Sequence, residues 1–299
     1  MKHNTETKVR HCYSTWGSDY YDDYYSDKAA YPPIHRELIR SELRKHAPKT
    51  LLDAGCGPAS ILRDLTDLDV DLFGFDLTPE MIVECKRVMK SLGHHPDSFW
   101  EGSVTRLPDF RGPASCPKEY DASICIGVLP HVPVGQDELV FANLRASLRK
   151  GGLAIVEARN ELFSLFPLNR YSHDFFLQRL LPRELHDEAP ADVLEPVIES
   201  LQARFRTDLP PIRKGKEDEP GYDEVLSRTH NPFELRRQFE QAGFKDVRVL
   251  FYHFHALPPM FEQEMPDTFR KLSLAMEANP EDWRGHFMAS AFLLAGIAE

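Results

Sequence analysis

Between residues 50 and 157 short apolar runs alternate with helical repeats, a pattern that predicts a parallel sheet with crossover helices. The predicted strands are 50–54, 71–75, 98–100, 121–126 and 153–157. Between the first two, Ile61, Leu62, Leu65 and Leu68 share one helical face. After the second, Thr78 and Pro79 form a cap and first-turn pair, and Met81, Ile82, Cys85, Val88, Met89 and Leu92 repeat with the helical period. A helix over 137–149 ends in "RKGG", with cations at the negative helix end and Gly151 available for a left-handed cap. In "NPFELRRQFEQAG" Asn231 caps, Pro232 opens, Glu234 reaches back and Gly243 stops a further helix. Apolar runs at 247–255 and 286–295 read as strands that close the sheet.

The texture changes between 160 and 230, where prolines 167, 182, 190, 196, 210, 211 and 220 accompany the charged stretch "IRKGKEDEPGYDE". An insertion of this length with helical pattern reads as a lid or acceptor-binding element over 161–230. The expected organisation is an N-terminal helical cover at 1–48, a core at 49–160 and 231–299, and the insertion between. With 42% hydrophobic and 28% charged residues the composition is that of a globular protein. The longest nearly apolar run, "FMASAFLLAGIA", is short of the roughly 20 residues a membrane span needs. The N-terminus lacks the apolar core of a secretory signal, so the expected location is cytoplasmic. Five cysteines without a CxxC pair suit a reducing compartment, with neither a disulfide framework nor a zinc site. A formal charge of −11 argues against broad binding of nucleic-acid backbone.

The chemistry concentrates in "TLLDAGCGPASIL". A P-loop would need GxxxxGK followed by Ser or Thr, and no lysine stands there. A dinucleotide fingerprint needs a third glycine where Ser60 stands, although Asp76, 19 residues beyond Gly57, is placed to bind a ribose. Asp53 separates the alternatives. An acid just before the glycines opposes a pyrophosphate and suits a ligand carrying an amino group and a sulfonium cation, as S-adenosylmethionine does.

The ordered set "LLDAGCGPA", "LFGFDLTPEMI", "EGSVTRLP", "YDASICIGVLPHV" and "LRKGGLAIVEARN" resembles the class I S-adenosylmethionine-dependent methyltransferases of small molecules, over about residues 50–160. The resemblance implies an α/β fold: a Rossmann-like seven-stranded sheet with helices on both faces, here with a largely helical lid insertion. It implies that Asp53, Gly55 and Gly57 cradle the methionine portion of the cofactor, Asp76 holds the ribose and Leu77 packs on the adenine. Many members place an acid for the adenine amino group where this chain has Ser103. Its hydroxyl, or the Val104 backbone, is the expected substitute. Ile126 and Gly127 would lie beside the transferred methyl. Members often fold an aromatic N-terminal segment over the cofactor. In "WGSDYYDDYY", where Tyr20 and Tyr24 share one helical face and Tyr21 and Tyr25 another, Tyr21 is the candidate, against simple packing.

Methyl transfer from a sulfonium is an in-line displacement, so alignment supplies much of the rate, and a hydroxyl acceptor also needs a base. His131, directly after the fourth strand, is the candidate base, against the alternative that it holds a loop. Glu157 and Asn160 follow the fifth strand at the ligand-bearing edge, and either orients an acceptor unless Glu157 merely pairs locally. Arg170 and Tyr171 in "FPLNRYSHDFF" suit a polar substrate, the phenylalanines being read as core. His253 and His255 share a strand face without a third ligand, so no metal is expected. The leading expectation is O-methylation of a small polar metabolite or glycan precursor in a bacterial-type biosynthetic pathway. N- or C-methylation, an NAD-dependent oxidoreductase and a non-catalytic cofactor-binding partner are the alternatives. The expected partner is a small-molecule acceptor, with no nucleic acid and no membrane. Oligomeric state is left open, a homodimer included.

Overall fold

The computed structural model describes residues 2–16, 21, 34–180, 191–208 and 225–299. Tyr20, Tyr24, Tyr25 and the stretch 212–224 lie outside the described residues. In order, the chain forms α1 (Lys2–Trp16), α2 (Ile34–His46), β1 (Thr50–Ala54), β2 (Asp71–Asp76), α3 (Pro79–Ser91), β3 (Phe99–Glu101) and β4 (Tyr120–Cys125). There follow α4 (Asp137–Ser147), β5 (Leu148–Arg159), α5 (Arg170–Phe175), α6 (Ala191–Gln202) and α7 (Pro232–Gln241). The chain closes with β6 (Phe244–Phe254), α8 (Pro266–Met276), α9 (Gly285–Met288) and β7 (Ala289–Ala298).

The seven strands form one sheet in the order β3-β2-β1-β4-β5-β7-β6, mixed because β7 runs antiparallel to β5. β1 pairs in parallel with β2, Thr50 opposite Asp71 and Ala54 opposite Phe75, and with β4, Leu51 opposite Ala122. Leu51, Leu52, Ala54, Ala122 and Ile124 are fully buried, which explains why these strands read as continuous apolar runs rather than alternating ones. Asp121 ties the start of β1 to β4: its carboxylate accepts the Lys49 and Thr50 N–H groups at 2.7 and 3.1 Å, and Arg149 pairs with it at 2.7 Å. The direction of strand order reverses between β1 and β4, and in open α/β sheets the crevice at that point holds the ligand.

Three local expectations are corrected. The 61–68 face is only a single 3-10 turn, Leu62–Leu65, because "DLTDLD" supplies weak helix formers and leaves too few residues before β2 to propagate a helix. Helix α4 stops at Ser147, and "RKGG" belongs to β5, where Gly151 takes φ +79° within the strand rather than capping the helix. Thr78 makes no capping bond with its side chain; its N–H donates to Asp76 Oδ1 at 2.8 Å. Helix α7 follows the sequence reading, with Asn231 accepting the Phe233 N–H at 3.0 Å and Gly243 at φ +95°.

The chain divides into two compact units, 1–159 with 214–250 and 291–299, and 160–213 with 251–290. The second unit thus takes in 251–290, expected in the core, and cedes 214–230, expected in the insertion. Within it Asn160 is a latch. Its Nδ2 lies 2.8 to 3.1 Å from the carbonyls of Gly285, His286 and Ala289, and its Oδ1 accepts the Leu162 N–H at 3.0 Å. In the first unit, Phe239 stacks on Phe244 at 4.1 Å and meets Phe141 edge-on at 5.1 Å, a core that joins α7, β6 and α4. No helix among the described residues is long and apolar enough to cross a membrane.

Candidate active site

A cavity of about 900 Å³, counting its open mouth, lies in the first unit at the carboxyl ends of β1, β2 and β4. The glycine loop forms its floor. Gly55 and Cys56 donate their N–H groups to the Phe75 carbonyl at 2.8 and 3.0 Å, binding the turn to β2. Gly55 has φ +98°, and a Cβ there would come within 2.2 Å of Val128 Cγ2, so the backbone is bare because both conformation and space require it. Gly57, at φ +52°, donates to Asp76 Oδ2 at 2.9 Å.

Asp53, Gly55, Gly57, Asp76, Leu77, Ser103, Val104, Ile126 and His131 all line this cavity. Asp53 is 2% exposed, and its Oδ1 has no hydrogen-bond partner among the described residues. Burial and then the charge of Asp76 push its carboxyl well above the usual range. Asp76 is raised by burial as well, against the N–H bonds of Thr78 and Gly57. No lysine or arginine is among the described residues lining the cavity, whereas Glu6, Asp53 and Asp76 are. Such a wall repels a pyrophosphate and attracts a cationic ligand rich in hydrogen-bond donors. The amino group, sulfonium and ribose hydroxyls of S-adenosylmethionine fit it, the partnerless Asp53 oxygen above all.

His131 sits in the 3-10 turn Leu129–His131 after β4, 8% exposed. Its Nδ1 lies 2.7 Å from the Leu226 carbonyl, which can only accept, so Nδ1 carries the proton. Burial holds the imidazole down to about 4, the Leu226 bond opposing and Arg159 adding to the shift, so at neutral pH the ring is uncharged. Its Nε2 is therefore an acceptor, and the Tyr13 hydroxyl donates to it at 2.8 Å. Tyr13 lines the same cavity.

The other expected site residues lie elsewhere. Glu157 is not on the cavity wall: its Oε2 accepts the Gly127 N–H at 2.5 Å, which makes it a positioning residue for the loop after β4 rather than a catalyst. Asn160 spends its amide on the latch described above, since three carbonyls compete for its two N–H groups. Arg170 and Tyr171 open α5 in the second unit, where Arg170 Nη2 donates to the Tyr171 hydroxyl at 3.3 Å and Tyr171 is 48% exposed. The Tyr21 ring lies 3.7 Å beneath the Arg63 guanidinium and does not line the cavity. His253 and His255 belong to β6 and its end, His253 at φ +54°, so the strand alternation that placed them on one face is broken there.

Sequence reasoning missed Glu6 and Tyr13. With Val9 they fall at i, i+3 and i+7 of α1, one helical face turned to the cavity, a spacing visible in "ETKVRHCY". Leu226 and Arg228 carried no such signal. Arg228 clamps Asp137 through its Nη1 and Nη2 at 2.9 and 2.5 Å and donates its backbone N–H to the Pro130 carbonyl at 2.8 Å, which sets the segment bearing the Leu226 carbonyl.

Residues 52–154 match a family model described as a methyltransferase domain. Magnesium protoporphyrin IX methyltransferase from Synechocystis PCC 6803, in its structure with bound SAH, is similar at 14% identity over 99% of this chain and 100% of that one, with a TM-score of 0.54. The structure of the same protein with bound SAM is similar at 12% identity over 99% of this chain and 97% of that one, with a TM-score of 0.51. At these identities the likeness is one of fold. No curated protein matches the chain.

Proposed function

We propose that this chain, whose residues 52–154 match a methyltransferase domain model, uses S-adenosylmethionine to methylate a hydroxyl oxygen of a small polar metabolite or glycan precursor. The observation that carries the reading is the hydrogen bond from Tyr13 to His131 on the cavity wall. The bound cofactor supplies an electrophilic methyl group on a sulfonium. Asp53 and Asp76 would hold its donors, and the loop from Ile126 to Val128, which lines the cavity and is braced by Glu157, would stand beside the methyl group.

A hydroxyl becomes strongly acidic as its oxygen takes up the methyl, so a weak neutral base is enough to collect its proton. The Tyr13 oxygen is suited to receive that proton while passing its own to His131 Nε2. The Nδ1 bond to Leu226 keeps the lone pair on Nε2, which supports the assignment of His131 as base.

Calorimetric titration with S-adenosylmethionine, S-adenosylhomocysteine and NADH tests the first layer. Both adenosyl ligands should bind and NADH should not, and Asp76→Ala should weaken the adenosyl ligands by roughly tenfold or more. Binding of NADH alone overturns the reading. For the second layer, transfer of labelled methyl to panels of small alcohols and amines is compared between the wild type, Tyr13→Phe and His131→Ala. Alcohol methylation should fall by about 100-fold or more in His131→Ala with S-adenosylhomocysteine affinity kept. Methylation confined to amines and indifferent to His131 moves the assignment to N-methylation.

A further inference from the structure

The third carboxylate on the cavity wall is not explained by the cofactor groups assigned so far. Glu6 comes from α1, and its Oε1 accepts hydrogen bonds from the Ser103 hydroxyl at 2.9 Å and the Thr105 hydroxyl at 3.0 Å. Ser103 Oγ in turn accepts the Thr105 N–H at 3.2 Å. Both hydroxyls lie within hydrogen-bond distance of the same carboxylate oxygen, and they stand 2.9 Å from each other. The arrangement holds Glu6 by two neutral donors and leaves Oε2 with no hydrogen bond among the described residues.

Around it the wall is apolar. Val9, Leu77 and Val104 line the cavity, and Leu77 packs against the cluster that contains Val9. Val104 is held in turn by Asn143, whose Nδ2 donates to its carbonyl at 2.9 Å. An apolar slot with one acid at its polar edge suits a flat heteroaromatic ring that carries an amino group. S-adenosylmethionine has three sets of donors: the ammonium, the ribose hydroxyls and the exocyclic amino group of adenine. Asp53 and Asp76 both stand at the glycine loop and answer the first two.

We propose that Glu6 is the residue that recognises the adenine amino group, so that α1, not the loop after β3, determines purine specificity. This rests on the S-adenosylmethionine reading of the cavity. The same helix face carries Tyr13 two turns further on, so the helix that reads the adenine also delivers the phenol to His131. Ser103 and Thr105 are positioning residues: their hydroxyls hold the Glu6 carboxylate.

The test is calorimetric and needs no turnover. Wild type, Glu6→Ala, Glu6→Gln and Ser103→Ala are titrated with S-adenosylhomocysteine and with its analogue lacking only the purine 6-amino group. The wild type should bind the analogue about ten- to a hundredfold more weakly, the range for a hydrogen bond to a charged group. In Glu6→Ala the two ligands should bind alike. Glu6→Gln, whose amide oxygen still accepts, should keep part of the discrimination, and Ser103→Ala should keep most of it because Thr105 still holds Glu6. Thermal unfolding of each variant shows whether it folds. Discrimination kept in Glu6→Ala overturns the proposal, and its loss in Ser103→Ala in that case returns the role to Ser103. Failure of the wild type to bind either ligand overturns the cofactor reading itself, which is a different result.

Discussion

At the scale of single residues, the site is built by side chains that are absent as much as by those present. Gly55 combines φ +98° with a Cβ position 2.2 Å from Val128 Cγ2, so Gly55→Ala meets strain and collision together. It should weaken S-adenosylhomocysteine binding by roughly ten- to a hundredfold, measured by calorimetry. Adding Val128→Ala should recover only part of the loss, since it removes the collision and leaves the strained φ. Full recovery in the double variant would show that space alone matters there. His131 illustrates the complementary case, a titratable group whose proton is placed by its neighbours. Its tautomer is set by the Leu226 carbonyl on one nitrogen and the Tyr13 hydroxyl on the other.

At the scale of elements, the return segment 225–230 holds the Leu129–His131 turn in place. Arg228 and Asp137 are 14% and 12% exposed, the guanidinium also reaches the Leu129 carbonyl at 3.2 Å, and the His230 ring lies 3.7 Å from Asp137. Removing one partner of such a pair leaves a desolvated charge, so Asp137→Ala should cost about 3 kcal/mol in urea unfolding. The paired replacement Asp137→Leu with Arg228→Met should cost less than Asp137→Ala, because neither charge is left behind. Equal costs would mean that the clamp contributes through the Leu129 and Pro130 contacts instead. Helix α1 has the opposite character. Its cavity face meets the site through Glu6, Val9 and Tyr13, and Val9 also joins a buried apolar cluster.

At the scale of the whole molecule, buried ionisable groups set the response to pH. His35, His131 and His255 are each held down to about 4 from 6.5, His35 and His131 by burial and a nearby cation, His255 by burial and His253. Between about pH 6.5 and 4 the unfolded chain takes up protons that the folded chain refuses, so each histidine makes stability fall as pH falls through that window. Asp53, Asp76 and Glu277 act in the reverse sense, Glu277 being raised to about 7 by burial, so that stability falls as pH rises through its folded value. The histidine contribution is isolated by a difference. Between pH 4 and 7, His35→Leu should lose less stability on acidification than the wild type, by on the order of 3 kcal/mol, read from urea unfolding curves. An unchanged slope would place the His35 ring in contact with solvent.

The sequence by itself determined the sheet and the cofactor floor. Strand apolarity, the Gly55 and Gly57 pair, and the acids Asp53 and Asp76 are local features within a few residues of one another or of a strand end, and parallel-sheet topology leaves them one place to meet. Element ends were less legible, because the stop of α4 at Ser147 depends on β5 starting early against β4 rather than on the glycines that follow. The tertiary structure alone decided which distant groups complete the site. Tyr13 and His131 are 118 residues apart, His131 and Leu226 are 95 apart, and Glu6 and Ser103 are 97 apart. No local periodicity encodes such pairs. They form because packing brings α1 and the 225–230 segment against the loops after β3 and β4, which sets hydroxyls, a carboxylate and an imidazole within bonding distance. For the same reason Asn160, which stands in sequence beside the ligand-bearing edge, became a latch: three carbonyls of its own unit reached it first.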